Sequence, residues 1–366
     1  MKILQSCGSA SWGGLEILAL RTTLQLIQRG HKVHLLCRQD SKLEKEALRN
    51  NIEIISLPAK STLKSIIKAK KIIDAENYEI IHTHLSHDLW VLVPALKLSG
   101  SNAKLFLTRH MGSGISKKDI FHKYLYNRVN RIFAISNYVK QNVLKTCPVN
   151  DNMVSILHPA INVNDYAPEN FNRKTLKETL GIENDSVVIG IASRVSLGKG
   201  YEEFLQAAKI LKEEFHEKIC FLAAGGKSKD EEDYFNNIML LTHKLGIGNA
   251  VKYIGFRENI AEVLSIMDIF VFPSHEESFG VLLIEAMAAG LPAAASNNAG
   301  IPDIITDGET GILVPPKDAV KLADAIRRLI EDKELRTKLG REARKRAEGI
   351  FNINDALDKL EKFYGG

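Results

Sequence analysis

The sequence predicts an α/β protein of two domains, each built on a parallel, doubly wound sheet, and three observations carry that expectation. In the first half, short apolar runs at residues 3–4, 33–37, 52–57, 80–81, 105–107 and 132–135 alternate with segments long enough for a crossover helix, the pattern of β-α-β units rather than of hairpins. The alternation restarts at 187–192 and continues through a strand ending in FLAAGG and runs at 251–256, 269–272 and 293–295. Finally, 366 residues with 45% hydrophobic content suit two domains of ordinary size.

Along the first half, Gly13 and Gly14 sit between the first strand and a helix at 15–29 that ends at Gly30. This is not GxGxxG, and Arg38 and Gln39, rather than an acidic residue, follow the second strand, which argues against a nicotinamide dinucleotide site. The segment 61–74 reads as a helix with Leu63, Ile66, Ile67 and Ile73 on apolar positions and Lys64, Lys68 and Lys71 on another face. His82 and His84 share one face of a strand end, with His87 and Asp88 close by, but the set fits no ordered metal motif. His110 falls at the carboxyl end of the fifth strand, and a basic cluster follows: Lys117, Lys118, Lys123, Arg128 and Arg131, interleaved with Phe121, Tyr124 and Leu125. Each basic cluster reads either as the solvated face of an ordinary helix or as a surface for an anionic membrane or a phosphorylated acceptor.

Charge asymmetry favours the second alternative. Residues 1–150 carry 23 Lys and Arg against 10 Asp and Glu, whereas residues 151–366 carry 26 against 34. Halves of opposite sign imply partners of different character. Nucleic acid is not indicated, because no binding module or aromatic-interleaved basic strand is present. Cys7, Cys37, Cys147 and Cys220 are scattered without a CxxC pair, which points to core thiols for Cys7, Cys37 and Cys220 rather than to zinc or a disulfide framework. No apolar run reaches the roughly 18 residues of a membrane span, and MKILQSC reads as a first strand rather than a signal peptide. The expectation is a cytoplasmic protein that meets the inner face of the cell membrane through Lys64, Lys68, Lys71, Lys117 and Lys118.

Between 150 and 185 the pattern loosens around Pro159 and Pro168, which places a hinge at 160–175, a first domain at 1–165 and a second at 175–349. In the second half, Arg194 and Lys199 lie in the loop SRVSLGKG with Gly198 and Gly200. Two cations at the mouth of a sheet suit a diphosphate. Gly255 and Arg257 close the strand VKYIGF. The stretch PSHEESFGVLLIEAMAAGLP, 273–292, reads as loop, helix and stop, with the helix starting near Ser278. Its helix start would aim N–H groups and a partial positive charge at a phosphate, and Gly280 leaves room for close approach. Glu277 stands in the loop. Glu285 stands among Leu282, Leu283, Ile284, Ala286 and Met287, where a carboxylate needs a partner. Amphipathic charged helices follow at 318–331, 334–346 and 354–363.

Glu277-x7-Glu285 followed by AMAAGLP, then Gly300-Ile301-Pro302-Asp303 and DGETGILVPP through Gly311 and Pro315, resembles the donor-site signature of family 4 glycosyltransferases. The run from Arg194 to Gly200 is similar to the family's Gly-Arg-x4-Lys-Gly, with Ser193 in place of the glycine. Gly13, Gly14 and Glu16 match its Gly-Gly-x-Glu run. The family's Asn-Gly-Ile/Val-Asp turn is replaced by Pro159-Ala160-Ile161-Asn162. The resemblance covers the second half throughout and the first half more loosely. It implies the GT-B fold, two Rossmann-like doubly wound domains facing each other across a cleft, with the C-terminal helix 350–366 packing back on the first.

It also implies a retaining glycosyltransferase that uses a UDP- or GDP-linked hexose-type sugar, with no protein-bound metal and no cofactor beyond the donor. Arg194 and Lys199 would hold the diphosphate, Glu277 the sugar hydroxyls and Glu285 the ribose, with His110 near the donor sugar. Ser278, Phe279, Gly280, Val281 and Leu282 at the helix start would complete the phosphate site, Gly255 and Arg257 the base rim, and Gly13, Gly14 and Glu16 the acceptor side. The charge asymmetry suggests an acceptor among cell-envelope glycolipids, lipopolysaccharide or polysaccharide precursors. A GT-B phosphorylase, a sugar-nucleotide epimerase or a non-catalytic nucleotide-sugar-binding protein would use similar cations and stays open.

Overall fold

The computed structural model describes residues 1–58, 61–215, 218–227 and 231–366. The chain divides into two compact units, Met1–Pro159 with Ala356–Gly366, and Ala160–Asp355. In the first unit, strands β1 (Lys2–Cys7), β2 (Lys32–Arg38), β3 (Ile54–Leu57), β4 (Ile80–Thr83), β5 (Lys104–Arg109), β6 (Arg131–Ala134) and β7 (Val154–Ile156) form one sheet in the order β3-β2-β1-β4-β5-β6-β7. Every pairing is parallel. Helices α1 (Gly14–Gln28), α2 (Lys42–Arg49), α3 (Thr62–Glu76), α4 (Leu89–Ser99), α5 (Ile120–Tyr126) and α6 (Asn137–Thr146) supply crossovers between them. Covered on both faces, such strands must be apolar almost throughout, which is why they are visible in the sequence as runs rather than alternations.

The second unit opens with α7 (Arg173–Thr179) and repeats the plan. It comprises β8 (Val187–Ala192), α8 (Tyr201–Phe215), β9 (Ile219–Ala224), α9 (Glu232–Lys244), β10 (Val251–Gly255), α10 (Ile260–Ser265), β11 (Ile269–Phe272), α11 (Val281–Ala288), β12 (Ala293–Ser296) and β13 (Gly311–Val314). Its six strands run in the order β10-β9-β8-β11-β12-β13, again all parallel. Helices α12 (Ala319–Glu331) and α13 (Lys333–Ile350) close this unit, and α14 (Ile353–Gly365) ends the chain. In each sheet the order reverses once, between β1 and β4 and between β8 and β11. Loops leaving the carboxyl ends of those strands diverge there and open a crevice for ligands.

Several expectations need adjustment. The boundary falls after Pro159, because Ile161 joins the second unit: its N–H donates to Phe351 O at 2.9 Å and its carbonyl accepts from Ile353 N at 2.9 Å. Residues 350–355 likewise stay with the second unit, and the return to the first begins at Ala356. In α3 the buried face is Ser65, Ala69 and Ile73, whereas Leu63 and Ile67 are 68% and 48% exposed beside the lysines. Small residues let α3 approach α4 closely, and that contact, rather than the bulkier side chains, sets its orientation. All four cysteines are buried and free, Cys147 included. Among the described residues no helix is long and apolar enough to cross a membrane.

Candidate functional site

The crevice of the second unit lies between the loop 193–200 after β8 and the loop 273–280 after β11. Across it Lys199 Nζ donates to Glu277 Oε2 at 2.6 Å, the two side chains being 26% and 21% exposed. The cation predicted for phosphate and the carboxylate predicted for sugar hydroxyls therefore form a direct ion pair. The pair is braced from below. His275 N donates to Gly198 O at 2.8 Å, and the His275 ring meets buried Glu203 Oε1 at 3.0 Å. Asn298 Nδ2 donates to the carbonyls of Ser274 and His275 at 2.8 and 3.0 Å, and Gly300 N donates to Glu277 O at 2.9 Å. A Cβ on Gly300 would stand 2.2 Å from Ser278 O, so the Gly-Ile-Pro-Asp motif acts by bringing backbone against the loop that carries Glu277.

Helix α11 begins at Val281, three residues later than predicted. Gly280 precedes it at φ +117°, left-handed backbone that ends the loop and that an L side chain rarely adopts. Its N-cap residue, Gly280, has no side chain to cap it, and N–H groups at such a helix start suit an anionic ligand. Glu285 is buried at 5% exposure between Ile284 and Ala286, so it is not a solvated helix residue. Phe279 is core, packing edge-on to Phe351 at 5.8 Å, and any contact it makes with a ligand is through its backbone. Val281 and Leu282 are half-buried.

The structure does not bring Arg194 to the ion pair. Its guanidinium is exposed and makes no hydrogen bond or ion pair among the described residues. Gly255, at φ +67°, accepts from Gly225 N at 2.9 Å, and Arg257 is exposed. Between them Phe256 is 73% exposed, with Gly226 against its Cβ. Sequence reasoning passed over this aromatic because a strand pattern assigns it inward. The register shift between Tyr253 and Gly255 marks where that alternation breaks.

In the first unit, Asp88 ties the crevice loops together. Its Oδ2 accepts from Ser6 Oγ at 2.7 Å, Gly8 N at 3.0 Å and Thr83 Oγ1 at 3.1 Å. Burial raises this carboxyl's pKa, and those donors partly offset the rise. His110, at the end of β5, belongs to a buried chain of hydrogen bonds. His110 Nε2 meets His84 Nδ1 at 3.0 Å, His84 Nε2 meets Gln5 Oε1 at 2.9 Å, and Gln5 Nε2 donates to Tyr364 Oη at 3.3 Å. Tyr364 Oη meets His82 Nδ1 at 2.6 Å, and His82 Nε2 meets Thr108 Oγ1 at 2.7 Å.

Burial holds all three imidazoles neutral, with His84 pushed down to about 4 and His82 and His110 held well below the usual range. With neutral rings the chain has a direction. The amide oxygen of Gln5 only accepts, so His84 carries its proton on Nε2, and its bare Nδ1 accepts from His110 Nε2–H. His110 Nδ1, buried with no partner among the described residues, is then a free lone pair. The reverse direction would leave a buried N–H there, the costlier orphan. His82 and His84 do share a face, stacked at 4.9 Å, but their ring nitrogens are engaged in this chain.

Glu16 is buried and accepts from Gly13 N at 2.7 Å, capping α1. Gly13 is extended, and a Cβ on Gly14 would meet nothing within 4 Å, so turn geometry does not demand either glycine. The second basic cluster is only partly a surface. Lys118 is exposed, but Lys117 is half-buried with Nζ donating to Ser86 Oγ at 3.0 Å. Arg128 binds Ala103 O at 2.7 Å, and Arg131 binds Ser155 Oγ at 2.8 Å and covers the Phe363 ring. None of these three is a free surface cation, because hydroxyls and backbone carbonyls of the unit lie within their reach.

Two all-parallel α/β units of seven and six strands are the architecture of the GT-B glycosyltransferases. Residues 12–165 match the model of Glycosyltransferase Family 4, and residues 172–346 match Glycosyl transferases group 1. The chain belongs to the family 4 glycosyltransferases. It is 26% identical to a D-inositol 3-phosphate glycosyltransferase of Corynebacterium diphtheriae, over 99% of this chain and 92% of that protein. It is 24% identical to the N-acetyl-alpha-D-glucosaminyl L-malate synthase of Bacillus anthracis, over 97% and 94%. Among solved structures, a glycosyltransferase from Rickettsia africae superposes with a TM-score of 0.89 at 26% identity, covering 99% of this chain and 97% of that one. Anabaena HepE in complex with UDP-glucose shares the fold at a TM-score of 0.83 and 21% identity, covering 99% and 98%.

Proposed function

We propose that the protein is a retaining, metal-independent transferase that moves a hexose-type sugar from a UDP- or GDP-sugar to an acceptor hydroxyl. The observation that carries this reading is the Lys199–Glu277 pair, 2.6 Å apart and partly open to solvent at the switch point of the second sheet. Lys199, with Arg194 swinging in from solvent, would neutralise the diphosphate, and the uncapped start of α11 at Gly280, Val281 and Leu282 would add N–H donors. Glu277 would accept from the sugar hydroxyls and Glu285 from the ribose, while Gly255 and Arg257 would rim the base, next to the exposed ring of Phe256. In the transfer, the C1–O bond to the diphosphate breaks, the acceptor oxygen bonds C1 on the same face, and the acceptor's proton passes to the departing phosphate oxygen. Charge on the leaving group is met by fixed cations, so the scheme requires no bound metal. His110 would offer its bare Nδ1 to a substrate hydroxyl.

The test is a thermal-shift screen against nucleoside diphosphates and their sugars, followed by transfer assays in chelator with the product anomer read by NMR. A ligand that binds only the native state raises the melting point. The reading fails if no nucleotide sugar stabilises the protein, or if the product anomer is inverted. Release of an epimer from donor alone, or consumption of donor by free phosphate, would establish an epimerase or phosphorylase instead.

A cell-envelope glycolipid, lipopolysaccharide or polysaccharide precursor at an anionic membrane surface is the proposed acceptor setting. Leu63 and Ile67 are exposed beside Lys64, Lys68 and Lys71 on α3. Ile120, Phe121 and Tyr124 are exposed beside Lys118 and Lys123 on and near α5. Both helices pack on α4. Apolar side chains flanked by lysines suit an interfacial face. Failure to co-sediment with anionic vesicles at low salt would remove this part of the reading.

A further inference from the structure

At the carboxyl edge of the first sheet, two cations converge on one neutral oxygen. Arg109, the last residue of β5, is only 6% exposed, and its Nη1 donates to Ser86 Oγ at 2.7 Å. Lys117, arriving from the loop after β5, donates to the same Oγ at 3.0 Å. The other contact of the guanidinium is Nη2 to Met111 O at 3.2 Å, and Arg109 Nε is buried without an acceptor. Among the described residues no carboxylate pairs with either cation; Asp88 is committed to Ser6, Gly8 and Thr83, and Asp119 to His122. Tyr126, in hydrogen-bond contact with Ser86, forms the floor, with Cys147 Sγ behind it at 3.4 Å.

The physical imbalance is plain. A hydroxyl oxygen has two lone pairs, and here both face full positive charges while, among the described residues, no carboxylate compensates them. Burying two like charges around a neutral oxygen is unfavourable, and burial together with Arg109 depresses the pKa of the Lys117 ammonium. Ser86 and Lys117 are half-buried, so the cluster is reachable from solvent. It also adjoins the proposed reaction machinery, since Arg109 immediately precedes His110 and Ser86 follows His84 by two residues.

We propose that Ser86, Arg109 and Lys117 form a receptor for a compact oxyanion, a phosphate or carboxylate carried by the acceptor sugar, so that the transferase selects an anionic acceptor. The inference rests on the glycosyltransferase reading and on acceptor binding by the first unit. An oxyanion entering between Lys117 and Ser86 exchanges a shared neutral oxygen for charge-assisted bonds to both cations. Held there, it places the remainder of the acceptor along the edge where His110 offers its lone pair.

The test uses the full chain and four probes: a hexose 1-phosphate, a hexuronic acid, inorganic phosphate and the neutral hexose, each titrated by calorimetry and thermal shift. The expected result is binding of at least one of the two anionic sugars, with no response to neutral hexose and weaker binding of inorganic phosphate. Lys117→Ala should weaken that binding at least tenfold, whereas Lys199→Ala, which strips the diphosphate site, should leave it unchanged. Ser86→Asp supplies the missing anion from within. It should raise the melting temperature and abolish the response, an outcome that misfolding cannot imitate.

The proposal is overturned if Lys117→Ala retains full affinity, if Lys199→Ala is the variant that loses it, or if inorganic phosphate binds as tightly as either sugar anion. It is also overturned if neither anionic sugar binds. Binding of UDP or GDP, scored separately, distinguishes the failures. Nucleotide binding with no anion response defeats only the receptor, whereas absence of nucleotide binding defeats the transferase reading itself.

Discussion

Tyr364 stands two residues before Gly366, yet its hydroxyl is the joint between Gln5 and His82. Tyr364→Phe removes only that oxygen. The ring is 1% exposed and would keep its contacts with Phe106 and His82, centroids 5.1 and 5.8 Å away. Two buried groups lose a partner: His82 Nδ1, bonded at 2.6 Å, and Gln5 Nε2, bonded at 3.3 Å. Leaving a buried polar group unsatisfied costs about 1–3 kcal/mol, so the short bond and the long one together predict about 2–4 kcal/mol of lost stability. Both tryptophans, Trp12 and Trp90, lie in the first unit, so fluorescence during urea unfolding follows that unit alone. At about 2 kcal/mol per M, the midpoint should fall by roughly 1–2 M.

A second readout separates this from simple destabilisation. Tyr364 Oη accepts from the Gln5 amide and so keeps its oxygen turned toward His84. Without it the amide has no preferred orientation, and His84 and His110 lose their fixed tautomers. Nitrogen-15 spectra of histidine-labelled protein should show His110 protonated at Nε2 in the wild type and a mixture in the variant. An unchanged midpoint together with an unchanged His110 tautomer would refute the directional chain.

Acid should destabilise the first unit through the same histidines. His84 is neutral when folded, with its pKa near 4, whereas the unfolded imidazole binds a proton below its ordinary 6.5. Stability is therefore full above about 6.5 and is lost as pH falls toward 4, by about 2 kcal/mol at pH 5 from His84 alone; urea midpoints at pH 7.5 and 5 measure it, and a flat profile would contradict the burial argument. Gly300→Ala puts a Cβ 2.2 Å from Ser278 O and must displace the loop bearing Glu277. Overpacking of this kind costs about 1–3 kcal/mol of stability, so the melting temperature should fall by several degrees, and nucleoside diphosphate affinity should drop about tenfold or more by calorimetry as the loop shifts. Lys199→Ala should lower turnover by about 3 kcal/mol of transition-state stabilisation, over a hundredfold, and near-normal turnover would remove the lysine from the mechanism. Glu277→Gln frees Lys199 from its carboxylate, so nucleoside diphosphate should bind more tightly while transfer slows; weaker binding would mean that Glu277 positions the lysine rather than competing with the phosphate.

What was legible in the sequence was what short-range pattern encodes. Most strands of both sheets stand out because parallel strands covered on two faces are apolar almost throughout. The Glu277–Glu285 stretch is readable as loop then helix, but a start at Ser278 is too early, because Gly280, a poor helix former, holds a left-handed conformation and the helix begins only after it. In α3, counting large apolar residues picked Leu63 and Ile67, whereas the helix turns Ser65 and Ala69 inward because small side chains fit against α4. Lys117, Arg128 and Arg131 looked like one basic surface, yet each finds a carbonyl or hydroxyl acceptor on a distant segment. The chain from His110 to Tyr364 lay beyond reach, since Gln5 and Tyr364 are 359 residues apart and no local period links them.

The two sheets share a device at their switch points, and comparing the two copies shows which one could open to a ligand. In each unit a carboxylate spans the loops that diverge from the central strands: Asp88 in the first and Glu277 in the second. Asp88 is buried and receives three neutral donors, of which Ser6 Oγ and Gly8 N have no other acceptor among the described residues, so displacing it would orphan those two. Glu277 instead meets a lysine, and both remain about a quarter or less exposed, so water or a ligand reaches the pair. An ion pair in that position is exchangeable. On the proposed reading, phosphate would substitute for the carboxylate at Lys199 and sugar hydroxyls for the ammonium at Glu277, each at little net electrostatic cost. Until then each side chain would hold the other near its binding geometry, which would lower the ordering cost of binding. The same topological position thus holds a structural pin where its donors are fixed and neutral, and an exchangeable ion pair, the proposed binding site, where its partner is a charged side chain.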